Sequence, residues 1–108
     1  MDLNSLAVAL DAFASHHPDP VNVPAHHLRL FVEVARLEGR CTYKQLQERL
    51  HIDNSSVSRT VHALGELHRN GRPGLGLLKI ESDPDEGRRH LVVFTDKGHS
   101  FLRTLKTA

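Results

Sequence analysis

The chain has 108 residues, 39% of them hydrophobic and 25% charged, the size and make-up of one soluble domain with a modest core. No apolar run approaches the roughly 18 residues of a membrane span, Met1–Asn4 lacks the basic and apolar regions of a secretory signal, and one cysteine, Cys41, cannot form an internal disulfide. A cytoplasmic protein is expected, and its net charge of +1 is split: residues 1–39 carry two basic and five acidic residues, residues 40–108 twelve basic and eight acidic, so a polyanion partner would meet the second part.

In chain order, Leu3, Leu6, Leu10 and Phe13 form a helical stripe that Asp2 or Asn4 can cap. His16 to Pro24 holds three prolines, which fix φ and remove donors, so it reads as a connector. A second helix is predicted from Pro24 or Ala25 to about Glu38. Leu28, Phe31, Val32 and Ala35 lie on one side, Leu30, Val34 and Leu37 on the other, and Gly39 is the stop. Thr42 stands three residues before Gln45, the spacing of a capping box, and opens a short third helix with Tyr43, Leu46 and Leu50 on one stripe.

A turn at His51-Ile52-Asp53-Asn54 follows, with Asp53 or Asn54 capping a fourth helix whose inward residues are Val57, Val61 and Leu64. Such turns need a residue that tolerates positive φ, and His51 stands there. Leu77, Leu78 and Ile80 predict a strand, Asp83 to Gly87 a solvated turn, and Leu91 to Phe94 the returning strand of a hairpin. Thr95 or Asp96 caps a last helix carrying Phe101, Leu102 and Leu105.

The expected fold class is therefore mainly α with a small β-hairpin wing, in the order α-α-α-α-β-β-α: a winged helix-turn-helix. Residues 1–108 form one domain, with an N-terminal helix and connector (1–24), a winged core (25–95) and a C-terminal helix (96–108). At about 100° per residue, Ser55, Arg59, His62 and Glu66 fall opposite the core face of the fourth helix, with Ser56, Ser58 and Thr60 flanking them. Small hydroxyl residues let a backbone approach a major groove, and an arginine can make a bidentate contact to guanine. No nucleophile elbow, phosphate loop or dinucleotide fingerprint occurs, and so small a domain has little room for a buried pocket, so no enzyme is expected.

Three stretches then carry a resemblance: Thr42-Tyr43-Lys44-Gln45-Leu46-Gln47-Glu48-Arg49-Leu50, Asn54-Ser55-Ser56-Val57-Ser58-Arg59, and Asp83-Pro84-Asp85-Glu86-Gly87-Arg88-Arg89 leading to Thr95-Asp96-Lys97-Gly98. From about Leu28 to Leu105 the chain resembles the multiple-antibiotic-resistance regulator (MarR) family of bacterial transcription factors. The resemblance implies a homodimer on palindromic double-stranded DNA, the fourth helix in the major groove and the wing tip at the minor groove. It carries Ser55, Ser56, Ser58 and Arg59 over to the recognition helix and Arg88 to the wing. The full expected DNA-binding set is Thr42, Lys44, Gln45, Asn54, Ser55, Ser56, Ser58, Arg59, His62, Arg88 and Arg89. The expected dimerisation set is Leu3, Leu6, Leu10, Phe13, Phe101, Leu102 and Leu105.

The chain departs from the family pattern in three places. Gly87 precedes Arg88 where the family has two consecutive basic residues, so the tip contact shifts to Arg88 or Arg89. The C-terminus stops soon after Leu105, and Arg69 to Gly76 is long and glycine-rich. The rival reading is a winged-helix module that contacts protein, which exposed aliphatic residues on the fourth helix would favour. The pairs His16-His17 and His26-His27 read as surface histidines, because neighbours on a helix point apart and no Cys or acidic ligand spacing accompanies them. No metal and no cofactor is expected. Cys41, beside Arg40, reads as a buried thiol at the start of a short strand rather than as a redox sensor.

Overall fold

The computed structural model describes residues 2–66, 74–85, 87 and 89–107. The elements are α1 (Leu3–Ala14), α2 (Ala25–Arg36), β1 (Arg40–Thr42), α3 (Tyr43–Leu50), α4 (Asn54–Leu64), β2 (Leu78–Ser82), β3 (His90–Phe94) and α5 (Asp96–Lys106). The structure adds β1 to the expected hairpin and makes an antiparallel sheet of order β1-β3-β2. Cys41 faces Val92 across the first ladder, and Ile80 faces Val92 across the second. Beyond Leu78, β2 is exposed along its length, whereas its partner β3 stays buried at Leu91, Val92 and Phe94.

Local chemistry ends the helices. The Asp2 side chain accepts from the Ser5 N–H, which caps α1. At the end of α2, Glu38 takes the left-handed position (φ 65°) ahead of Gly39 (φ 79°). The Gly39 N–H reaches the Val34 carbonyl at 2.8 Å and the Glu38 N–H reaches Ala35 at 3.0 Å, a Schellman pair. The stop therefore occupies two residues, and the expected Gly39 is the second of them.

The core gathers Leu30, Phe31 and Val34 of α2 with Leu46, Leu50, Val57, Val61, Leu64, Leu77, Leu78, Val92 and Cys41. All four phenylalanines of the chain lie in one cluster. Phe31 stands 5.0 Å from Phe94 and 5.4 Å from Phe101, ring centre to ring centre, and Phe13 stands 5.8 Å from Phe101. This corrects two members of the expected dimerisation set. Phe13 and Phe101 are buried inside the chain, where they pack α1 and α5 on α2. Leu102 and Leu105 are half-buried against the same core. Leu3 (82% exposed), Leu6 (42%) and Leu10 (47%) remain on the surface. Val32, expected on the apolar face of α2, is also exposed.

Polar bonds join α5 to the root of the hairpin. The Thr95 hydroxyl donates to the Gly76 carbonyl at 2.6 Å and accepts from the Gly98 N–H at 3.0 Å, while Lys97 Nζ donates to the Leu75 carbonyl at 2.7 Å. A Cβ at Gly98 would collide with the Leu77 carbonyl oxygen, so this close approach requires glycine. Residues 74–77 run back along the end of α4, their N–H groups bonding the carbonyls of Ala63 to Glu66.

Candidate nucleic-acid interface

The helix-turn-helix is built by caps. Gln45 N–H donates to Thr42 Oγ1 at 3.1 Å and Thr42 N–H donates to Gln45 Oε1 at 2.8 Å, closing the capping box at the start of α3. Both side chains thus have a structural task, and Lys44 beside them is exposed. His51 closes α3 in the left-handed conformation (φ 56°, ψ 43°), its N–H bonded to the Gln47 carbonyl at 2.9 Å. Asp53 caps α4 by accepting from the Ser56 N–H at 2.7 Å, and this bond holds its carboxyl below the ordinary 3.8. Asn54 becomes the first residue of α4.

The outward face of α4 is polar. Ser55 and Arg59 are exposed, and Ser56 and Ser58 are half-exposed. Arg59 Nη2 lies 3.3 Å from Ser56 Oγ and has no acidic partner within ion-pair distance among the described residues, so a cation is presented at the N-terminal half of the helix. His62 is half-buried, its Nδ1 donating to the Ser58 carbonyl at 2.7 Å, which leaves Nε2 for a partner. Thr60, expected to flank this face, is buried, and its hydroxyl donates to the Ser56 carbonyl at 2.8 Å. It therefore cannot serve a groove. Among the described residues, none of the large exposed hydrophobic side chains belongs to α4.

The wing is organised by an ion pair that composition did not reveal. Asp83, expected in a solvated turn, is buried; it accepts from Arg89 Nε at 2.8 Å, pairs with Arg89 Nη2 at 2.6 Å and accepts from the Asp85 N–H at 2.9 Å. Arg89, expected among the DNA-binding residues, is thus engaged with Asp83 at the turn end of the hairpin while its side chain stays half-exposed. Arg88 and Glu86 lie outside the described residues, as does most of the glycine-rich segment from Arg69. A polar concavity brings Thr42, Lys44 and Gln45 beside Asp83, Asp85 and Arg89, so the start of α3 and the wing share one edge of the molecule. A second depression sets His26 and His27 of α2 beside Ser56 and Arg59, a neighbourhood that sequence spacing does not indicate. Cys41 is enclosed, and burial pushes its thiol up to about 12, far from the thiolate that redox chemistry needs. No helix among the described residues is long and apolar enough to cross a membrane.

No family model matches the chain, and no curated protein matches it in sequence. Solved structures do. A mutant of MarR from E. coli, complexed with operator DNA, superposes with a TM-score of 0.65 over 92% of this chain at 18% identity. The fold is that of MarR. YusO from Bacillus subtilis (TM-score 0.65, 13% identity, 96% of this chain and 64% of its own) shares the MarR fold. So does the PcaV transcriptional regulator from Streptomyces coelicolor in complex with its natural ligand (0.61, 24%, 97% and 65%). The chain spans about 61% of the length of the DNA-bound E. coli MarR structure. Several of these neighbours are described as transcriptional regulators, and one is bound to DNA.

Proposed function

We propose that this chain is a sequence-specific double-stranded DNA-binding regulator of transcription, with α4 as the recognition helix in the major groove and the β2–β3 hairpin as the wing over the minor groove. The observation that carries the proposal is the outward face of α4. Ser55, Ser56, Ser58 and an Arg59 with no ion pair among the described residues are presented together at its N-terminal half, on a helix-turn-helix whose caps and turn are complete. Small hydroxyls permit close approach of the backbone, and Arg59 supplies the fork that reads guanine O6 and N7. Lys44 at the start of α3 adds a phosphate contact.

The protein-contact alternative would place exposed aliphatic residues on α4, and none stands among its described residues. The homodimer is retained in the proposal through Leu3, Leu6 and Leu10 of α1, with Leu102 and Leu105 of α5 at its margin. Such a dimer would set two recognition helices about one DNA turn apart on a palindromic site.

The deciding experiment is selection of binding sites from a pool of random duplexes, followed by titration of the selected site against scrambled DNA at two salt concentrations. An enriched palindromic motif, bound roughly a thousandfold tighter than scrambled DNA or better, is the expected result. Equal affinity for both, or none for either, would reject the proposal.

A further inference from the structure

The depression between α2 and α4 encloses about 310 Å³ and is lined by His26 and His27 from the first turn of α2 and by Ser56, Arg59, Thr60 and Ala63. The four α4 residues follow i, i+3, i+4, i+7 spacing, one side of the helix, and Arg59 belongs both to this side and to the outward face. Thr60 and Ala63 are buried, and His27 is tied to His17, nitrogen to nitrogen at 3.3 Å. What is left toward solvent is the exposed His26 imidazole, the half-exposed Ser56 and the exposed Arg59 guanidinium. His26 meets the His27 ring edge-on at 4.8 Å between centres, and its own nitrogens bond no protein group among the described residues. Among the described residues, Arg59 is the one permanently charged side chain of the lining, and no carboxylate stands in it. A fixed cation, a hydroxyl and an imidazole able to take a second positive charge form a surface for an anion.

We infer that His26 is a contact to a backbone phosphate of the DNA, protonated in the complex, so that the first turn of α2 joins the nucleic-acid interface and binding tightens as pH falls. The inference rests on the reading of α4 as the recognition helix. A helix with its side chains is about 10–12 Å across and a major groove about 12 Å wide, so groups that flank such a helix meet the phosphates at the groove's border. His26 flanks α4 beside Ser56 and Arg59. Arg59 keeps its base contact, and His26 takes the neighbouring phosphate. A neutral imidazole has one N–H to offer, whereas the protonated ring has two and a charge that the phosphate balances. The groups that face it are His27 on its own helix and Ser56, Arg59, Thr60 and Ala63 on α4. None of them is an acid, so the phosphate itself supplies the counter-charge that makes proton uptake favourable. Proton uptake and DNA binding are then linked, and the affinity rises as pH falls through the range in which histidine gains its charge.

The test is titration of the full chain with its selected duplex at about pH 6 and pH 8, each at two salt concentrations, beside His26→Gln and His26→Arg. The unmodified chain should bind about tenfold tighter at the lower pH for each chain bound, with a log–log salt slope steeper by about one. His26→Gln should bind at both pH values as the unmodified chain does at the higher one. His26→Arg, charged throughout, should bind at both as the unmodified chain does at the lower one, a rescue that a merely structural role would not give. Because His26 is exposed, circular dichroism should be the same for all three proteins. The inference is overturned if the pH difference survives His26→Gln, or if His26→Arg gains nothing at the higher pH. It is overturned as well if the selected duplex is bound equally at both pH values, and the DNA-binding reading then stands without it. Saturable, His26-dependent binding of inorganic phosphate with pH-independent DNA binding would assign the depression to a free anion instead. Failure to select any duplex removes both readings.

Discussion

Arg59 sits one turn into α4 with the Ser56 hydroxyl as its hydrogen-bond neighbour, so its charge is available and its position is set by the helix. Arg59→Ala should lower specific DNA affinity by on the order of 1–3 kcal/mol and relax preference at one base pair per half-site. A competition titration across single-base variants of the selected site reads both effects, and unchanged preference would remove Arg59 from base recognition. Asp53, the cap beneath it, acts through charge as well as geometry. The Ser56 N–H bond depresses its carboxyl in the folded chain, so its stabilisation is complete above the ordinary value of 3.8 and is lost as pH falls through the lower folded value. Asp53→Asn keeps an acceptor oxygen but does not titrate. The stability gap between wild type and variant should therefore narrow as the solution is acidified, and urea midpoints at several pH values would show it. Parallel curves would mean that the carboxylate charge contributes nothing.

At the scale of elements, the sequence was most informative where a few adjacent residues carry the whole signal. Thr42 with Gln45, His51 in the left-handed turn, Asp53 and Thr95 are local devices, and the structure contains each of them. Other features needed partners far along the chain. β1 is three residues long and exists through its ladder with β3, which pairs Cys41 with the distant Val92. The stripe of α1 could not say which part of itself is covered; the Phe13 contacts with Phe31 and Phe101 decide that only its C-terminal half is. The composition of residues 83–87 pointed to a solvated turn, yet Asp83 is buried by the Arg89 side chain.

That pair changes what the wing arginines should do. Arg89→Ala removes the ion pair from a buried carboxylate and should cost on the order of 2 kcal/mol in stability, with part of the loss restored by adding Asp83→Asn. Because Asp83 already balances its charge, the variant should leave the log–log salt slope of DNA binding nearly unchanged. A slope reduced by about one would place Arg89 on a phosphate.

For the molecule as a whole, the open matter is what covers α1. Leu3, Leu6, Val8 and Leu10 are exposed on a helix whose far end is anchored in the core, and the chain reaches only part of the length of its structural neighbours. A dimer through α1 should appear in light scattering as twice the 12.1 kDa of one chain. Leu6→Glu with Leu10→Glu should halve that mass and weaken operator binding while leaving helical content intact; a single-chain mass for the unmodified protein would refute it.

The joint between α5 and the hairpin has a different consequence, one for heredity. Alanine is ordinarily the better helix former, yet any side chain at position 98, in the first turn of α5, drives into the Leu77 carbonyl. In a library of every single substitution, position 98 should be emptied as thoroughly as Phe31, alanine included, although it has no side chain to bury. Descendants of this sequence can vary the exposed positions of α5, but they keep that helix hinged to the root of the wing only while the glycine is inherited.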